Sequence, residues 1–175
     1  MARTDSFFIR QSLNIDNTTN FQQTSLDLGA YVDALGKAVL RIHNISVQYT
    51  DANGAPLQIT GSANGTSAVA SFQLTTQTQS ALVVAGDNKS LVASGRTNAY
   101  AFGTSGTAYP SITSDALDNA PQLWENGYLI GVETMYLGGQ ASTGWTGDVY
   151  VSIVMECTSE SLTQAAAMAL ALSQQ

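Results

Sequence analysis

In the stretch DVYVSIVMEC, residues 148–157, Val149, Val151, Ile153, Met155 and Cys157 occupy alternate positions, with Tyr150, Ser152 and Glu156 between them. A period of two is the repeat of a pleated strand, because successive side chains leave a strand on opposite faces whereas a helix gathers residues three and four apart. The segment is therefore expected to lie half-buried in a sheet. Four more stretches repeat the pattern: SFFIRQSLNI with Phe7, Ile9, Leu13 and Ile15 inward, SAVASFQLTT with Ala68, Ala70, Phe72 and Leu74, GYLIGVETMYL with Tyr128, Ile130 and Val132, and LVASGRTNAYAF. Shorter strands are expected at 24–32 and 56–60, and the total approaches eight.

The punctuation agrees. Asn53-Gly54, Asn64-Gly65 and Asn126-Gly127 supply the positive φ of tight hairpins, and looser loops are expected at 103–106 and 138–147. No repeat at a fixed period is visible, which argues against propellers and solenoids. The expected class is all-β, a single jelly roll or β-sandwich of about eight antiparallel strands. A body at 1–160 would be followed by a short helical tail at 161–175.

One strand breaks its own rhythm. In KAVLRIHNISVQYTDANG, Leu40 and Ile42 alternate inward, and then Ile45, Val47 and Tyr49 carry the pattern one step out of phase. A one-residue slip exchanges the two faces unless a bulge absorbs it, so His43-Asn44 is expected to mark a kinked strand. That assigns the chain's only histidine to structure.

Chemistry finds few footholds. A serine triad needs a histidine base, and no G-x-S-x-G elbow, phosphate loop or dinucleotide fingerprint occurs. His43 and the single Cys157 have no partners of metal-ligand type, and Asp51-Ala52-Asn53-Gly54 starts like a calcium loop but lacks the later acidic ligands. No cofactor or metal is expected. An enzyme built on a carboxylate pair ranks well behind the other readings. Six Lys and Arg stand against thirteen Asp and Glu, a net charge of −7, so direct nucleic-acid binding is disfavoured. No stretch reaches the roughly twenty apolar residues of a membrane-spanning helix.

The tail SESLTQAAAMALALSQQ reads as a helix entered through a capping box of Ser161 and Gln164. Residues 165–172 are all apolar, so its apolar surface runs round the axis and calls for burial on several sides. Leu162, Met168, Leu170 and Leu172 are the candidate assembly contacts. Trp145, in the loop ASTGWTGD, is open to two readings. It is either a loop anchor or part of an aromatic sugar platform with Trp124, Tyr128 and Tyr150.

An opening strand, then TSLDLGAYVD running into VLRIHNISVQYTD, several hairpins and a last long strand DVYVSIVMEC together resemble the single jelly-roll capsid proteins of small icosahedral viruses. The resemblance implies a non-enzymatic, shell-forming subunit located in the virion, whose main partner is itself. Many such proteins carry a basic N-terminal arm against the genome, and this chain has only Arg3 and Arg10 before Lys37. Its further partners would then be other virion proteins or an internal membrane. The alternative from a different class is a carbohydrate-binding or adhesive β-sandwich module that uses Trp145.

Overall fold

A computed structural model describes residues 5–33, 35, 37–103, 108–110 and 112–175. Arg3 and most of the loop expected at 103–106 lie outside these residues. The strands are β1 (Phe7–Asn14), β2 (Gln22–Asp27), β3 (Ala38–Thr50), β4 (Gln58–Thr60), β5 (Thr66–Thr75), β6 (Leu91–Ala101), β7 (Ala108–Pro110), β8 (Ile112–Asn119), β9 (Tyr128–Ile130), β10 (Thr134–Ala141) and β11 (Tyr150–Ser161). A short 3₁₀ turn at Pro121–Leu123 precedes β9, and one helix, α1 (Gln164–Ser173), follows β11.

Four antiparallel pairings define the topology: β1 with β11, β2 with β10, β3 with β9, and β5 with β6. Each strand pairs with the one equally far from the other end of this set, so the chain forms one long hairpin with its tip between β5 and β6. Rolling that hairpin produces two sheets, ordered β1-β11-β3-β9 and β2-β10-β5-β6-β8. This is the strand order of a jelly roll, with β8 as an added edge and β4-β7 as a separate two-stranded ribbon.

The core fills the space between the sheets. Val149, Val151, Ile153, Met155 and Cys157 are all buried, as the alternation requires, against Ala68, Ala70, Phe72 and Leu74 of the facing sheet and Met135 and Leu137 beside them. The phase slip in β3 is a β-bulge. Asn44 pairs with Glu156 and Ile42 with Cys157, which leaves His43 as the extra residue. Ile42 and Ile45 can then both point inward although they are an odd number of residues apart. β9 pairs only with Leu40, Arg41 and Ile42. Past its end the Gln122 side chain takes over, accepting from Ile45 N at 3.2 Å and donating to Ile45 O at 3.0 Å.

Several expectations are corrected. The single strand expected across GYLIGVETMYL is two strands in opposite sheets, β9 and β10, with a corner at 131–133. Period two records burial and not which sheet supplies it. Gly138 and Gly139 belong to β10 rather than to a loop, since a Cβ at either would meet the Phe21 ring at 2.4 Å or Ile15 at 2.7 Å. β2 ends at Asp27. Leu28 and Val32 stay buried in turns instead, with Val32 N bonded to Leu28 O at 3.0 Å. The glycines of the Asn-Gly pairs do adopt positive φ, 79° at Gly54 and Gly65 and 63° at Gly127. None of the three pairs joins neighbouring strands of one sheet, so they are turns but not hairpins. β7 and β8 were not anticipated.

Candidate functional site

Helix α1 and the elements beneath it contain the sequence-derived assembly residues. Ser161 is used by β11, where it pairs with Ala38, so the expected capping box does not form. Thr163 is the N-cap instead: its hydroxyl accepts from Ala166 N at 3.3 Å, and the Gln164 side chain donates to Leu35 O at 3.2 Å. Leu162 N donates to Lys37 O at 2.8 Å and fixes the exit from the strand.

The helix docks on its own domain through small residues. Ala167, Ala171 and Gln174, at helical spacing i, i+4, i+7, form its buried face. Gln174 is the hub. It is 3% exposed, its Oε1 accepts from Gly131 N at 2.9 Å, its Nε2 donates to Leu129 O at 2.7 Å, and its carbonyl accepts from Thr76 Oγ1 at 2.6 Å. Gly131 permits this approach, because a Cβ there would lie 3.1 Å from both Ala171 N and Leu170 Cγ. The helix end therefore ties the corner after β9 to the end of β5.

The four assembly candidates separate. Leu162 and Leu170 are half-buried, whereas Met168 and Leu172, one turn apart, are 41% and 67% exposed. Leu170 lines a surface pocket of about 310 Å³ together with Arg41, Lys89, Gly127, Tyr128, Leu129, Ser173 and Gln174. Arg41 is already engaged there. Its Nε and Nη2 donate to the two carboxylate oxygens of Glu160, the latter at 2.9 Å, and its Nη1 donates to Asn126 O. The guanidinium hydrogen bond holds the Glu160 carboxyl below its ordinary range, against partial burial that pushes the other way, with the charges of Arg41 and His43 adding to the lowering. The same bond raises Arg41. Lys89 is exposed and forms no ion pair among the described residues.

Gly127 sets the mouth of this pocket. Its positive φ and missing side chain matter equally, since a Cβ would stand 2.3 Å from Ile42 O at the β3 bulge. His43 is exposed beside it, with Nε2 2.9 Å from Thr158 Oγ1. Among the described residues no group of three His, Cys, Asp or Glu could hold a metal ion.

Trp145 is a loop anchor, not a ligand platform. It is 3% exposed, its indole N–H donates to Val69 O at 3.2 Å, and its backbone bridges to Ile59. Gly144 makes room, because a Cβ there would meet Ser67 O at 2.6 Å. The other platform residues are dispersed. Tyr128 and Tyr150 sit opposite Ile42 and Thr50 of β3, eight positions and roughly 26 Å apart at the rise of a strand. Trp124 caps the end of the 3₁₀ turn and is 53% exposed. Sequence reasoning missed Gln174, Gln122 and Lys89. For the two glutamines the only trace was an amide inside an otherwise apolar or turn-forming stretch.

No protein-family model matches the chain, and no curated protein sequence matches it. Among solved structures it is similar to VP1 of Trichodysplasia spinulosa-associated polyomavirus in complex with GM1 oligosaccharide, at 9% identity and a TM-score of 0.45, covering 93% of this chain and 97% of that one. It is also similar to dimeric latent PorU of Porphyromonas gingivalis, at 10% identity and a TM-score of 0.35, covering 90% of this chain and 13% of that one. A chain of Cocksfoot mottle virus matches at 12% identity and a TM-score of 0.31, over 93% of this chain and 99% of that one. At these values the likenesses add nothing to function, and the jelly roll rests on the strand order.

Proposed function

We propose that the protein is a structural subunit that self-assembles into a viral capsid or related virion shell. The observation that carries this reading is the rolled-hairpin strand order combined with large apolar side chains left exposed on separate parts of the surface. Phe8 on β1, Tyr100 on β6, Trp124 on the 3₁₀ turn and Leu172 on α1 are each more than half exposed. Contacts on several faces are what a shell subunit needs, since closed shells join each copy to several neighbours through distinct surfaces. Burying one such side chain contributes about 1.5–3 kcal/mol, while association costs about 4–15 kcal/mol, so several must be covered together for a stable contact. Low charge density favours the same use, because interface cores are depleted in Lys, Asp and Glu. The carbohydrate-binding alternative has lost its principal residue to the core.

Sedimentation velocity and electron microscopy of purified protein test the reading. Closed particles or large discrete oligomers are expected, and a monomer that persists at every concentration and ionic strength would overturn it.

A further inference from the structure

We propose that the pocket beneath the end of α1 is a socket for an acidic side chain of a second copy of this chain, with Lys89 as its counter-charge. The inference rests on the self-assembly reading and names one of its contacts.

The charge balance inside the pocket supplies the first reason. Its lining holds two cations, Arg41 and Lys89, and no carboxylate. Arg41 is matched in charge by Glu160 and also donates to Asn126 O, so its positive charge is neutralised within the domain. Lys89 is unmatched among the described residues, which leaves the pocket one positive charge in excess on a chain of net charge −7.

The second reason is the division of polar capacity around it. The Gln174 amide is used on both sides, by Gly131 N and Leu129 O, and the Ser173 hydroxyl donates to Leu170 O. Of the charged side chains lining the pocket, the Lys89 ammonium is the one with no hydrogen bond or ion pair among the described residues. An ammonium, which can only donate, suits an acceptor-only group such as a carboxylate. Leu129 and Leu170 supply half-buried apolar walls, and a charge pair on such walls is screened less than one in open water.

The third reason concerns the source of the carboxylate. Thirteen Asp and Glu against six Lys and Arg mean that any neighbouring copy presents acids in excess. A nucleic-acid phosphate fits poorly, because one unmatched cation releases too few counterions to hold a polyanion against the chain's own negative charge.

Carbodiimide coupling tests the contact directly, since it joins an amine to a carboxylate as an amide with loss of water only where the two already touch. Equal amounts of heavy-nitrogen-labelled and unlabelled protein are co-assembled, coupled and digested. The expected product is a Lys89-containing cross-linked peptide in which label is mixed between the two halves. K89E should weaken association by roughly tenfold or more at low salt and K89A by less, with both differences shrinking at high salt. Unchanged assembly of K89E, or Lys89 coupled only within one copy while particles form, would overturn the socket and leave the shell reading standing. A wild-type protein that never assembles would overturn both.

Discussion

Both oxygens of the Glu160 carboxylate are bonded by the Arg41 guanidinium, across the pairing of β11 with β3 and opposite Val39 and Thr158 in the ladder. The pair closes the sheet at the point where the chain turns towards α1. Because the folded carboxyl titrates below its ordinary 4.5, the pair stabilises the fold above that value and the contribution is lost as pH falls through the folded value. E160Q should lower stability by about 1 kcal/mol at neutral pH, the pair being partly exposed. Urea midpoints of the variant and parent should converge at acid pH.

The Gln174 hub makes the second prediction. Q174A leaves Gly131 N–H and Leu129 C=O without their side-chain partner, and an unpaired buried group costs about 1–3 kcal/mol. Amide exchange should accelerate in α1 and at Gly131 while β5 and β6 stay protected. Removal of residues 162–175 should leave the β-domain folded and shift assemblies towards smaller species; light scattering reads the shift.

Cys157 supplies the third. Burial, with a lesser push from the charge of Glu156, raises its thiol to about 12, so almost no thiolate exists at neutral pH. Iodoacetamide at pH 8 should leave the folded protein unlabelled and modify it fully in denaturant. Labelling of the native chain at the rate of a free thiol would show that the β3–β11 seam opens.

The two tryptophans should part company. W145A removes a buried ring, while the Val69 carbonyl keeps its bond from Ser142 N, with an expected loss of about 3–5 kcal/mol. W124A should alter stability by less than about 0.5 kcal/mol, as exposed substitutions do, yet reduce the amount of assembled material. Thermal melts and sedimentation separate the two effects.

The strands of this fold were legible wherever one face is buried, because alternate burial writes itself into alternate residues. Val149 to Cys157 is the clearest case, and even the His43 bulge left a readable trace as a change of phase. The division into sheets was not legible: Ile130 and Met135 carry the same apolar signature on opposite sides of the core. Trp145 was legible as one of two readings: its Gly-rich, polar loop left anchor and platform both open, and the ring turns inward as an anchor does. Gln174 was invisible for a different reason. Its partners are backbone groups of residues 129 and 131, and backbone polarity has no letter in a sequence.

The rolled hairpin also fixes an order of events. Among the described strands only β5 and β6 are neighbours both in the chain and in the pairing, while β1 must find β11 at the far end of the strand set. Contacts of such long sequence separation slow folding, because loop-closure entropy is lost before any pairing is gained. During synthesis β11 emerges last of the strands, yet it occupies the interior of its sheet between β1 and β3. Until it is released those two strands have no partner between them and only β3–β9 of that sheet can pair, so the four-stranded sheet is completed late, and a nascent chain lacking β11 presents open edges of β1 and β3 to its neighbours on the ribosome.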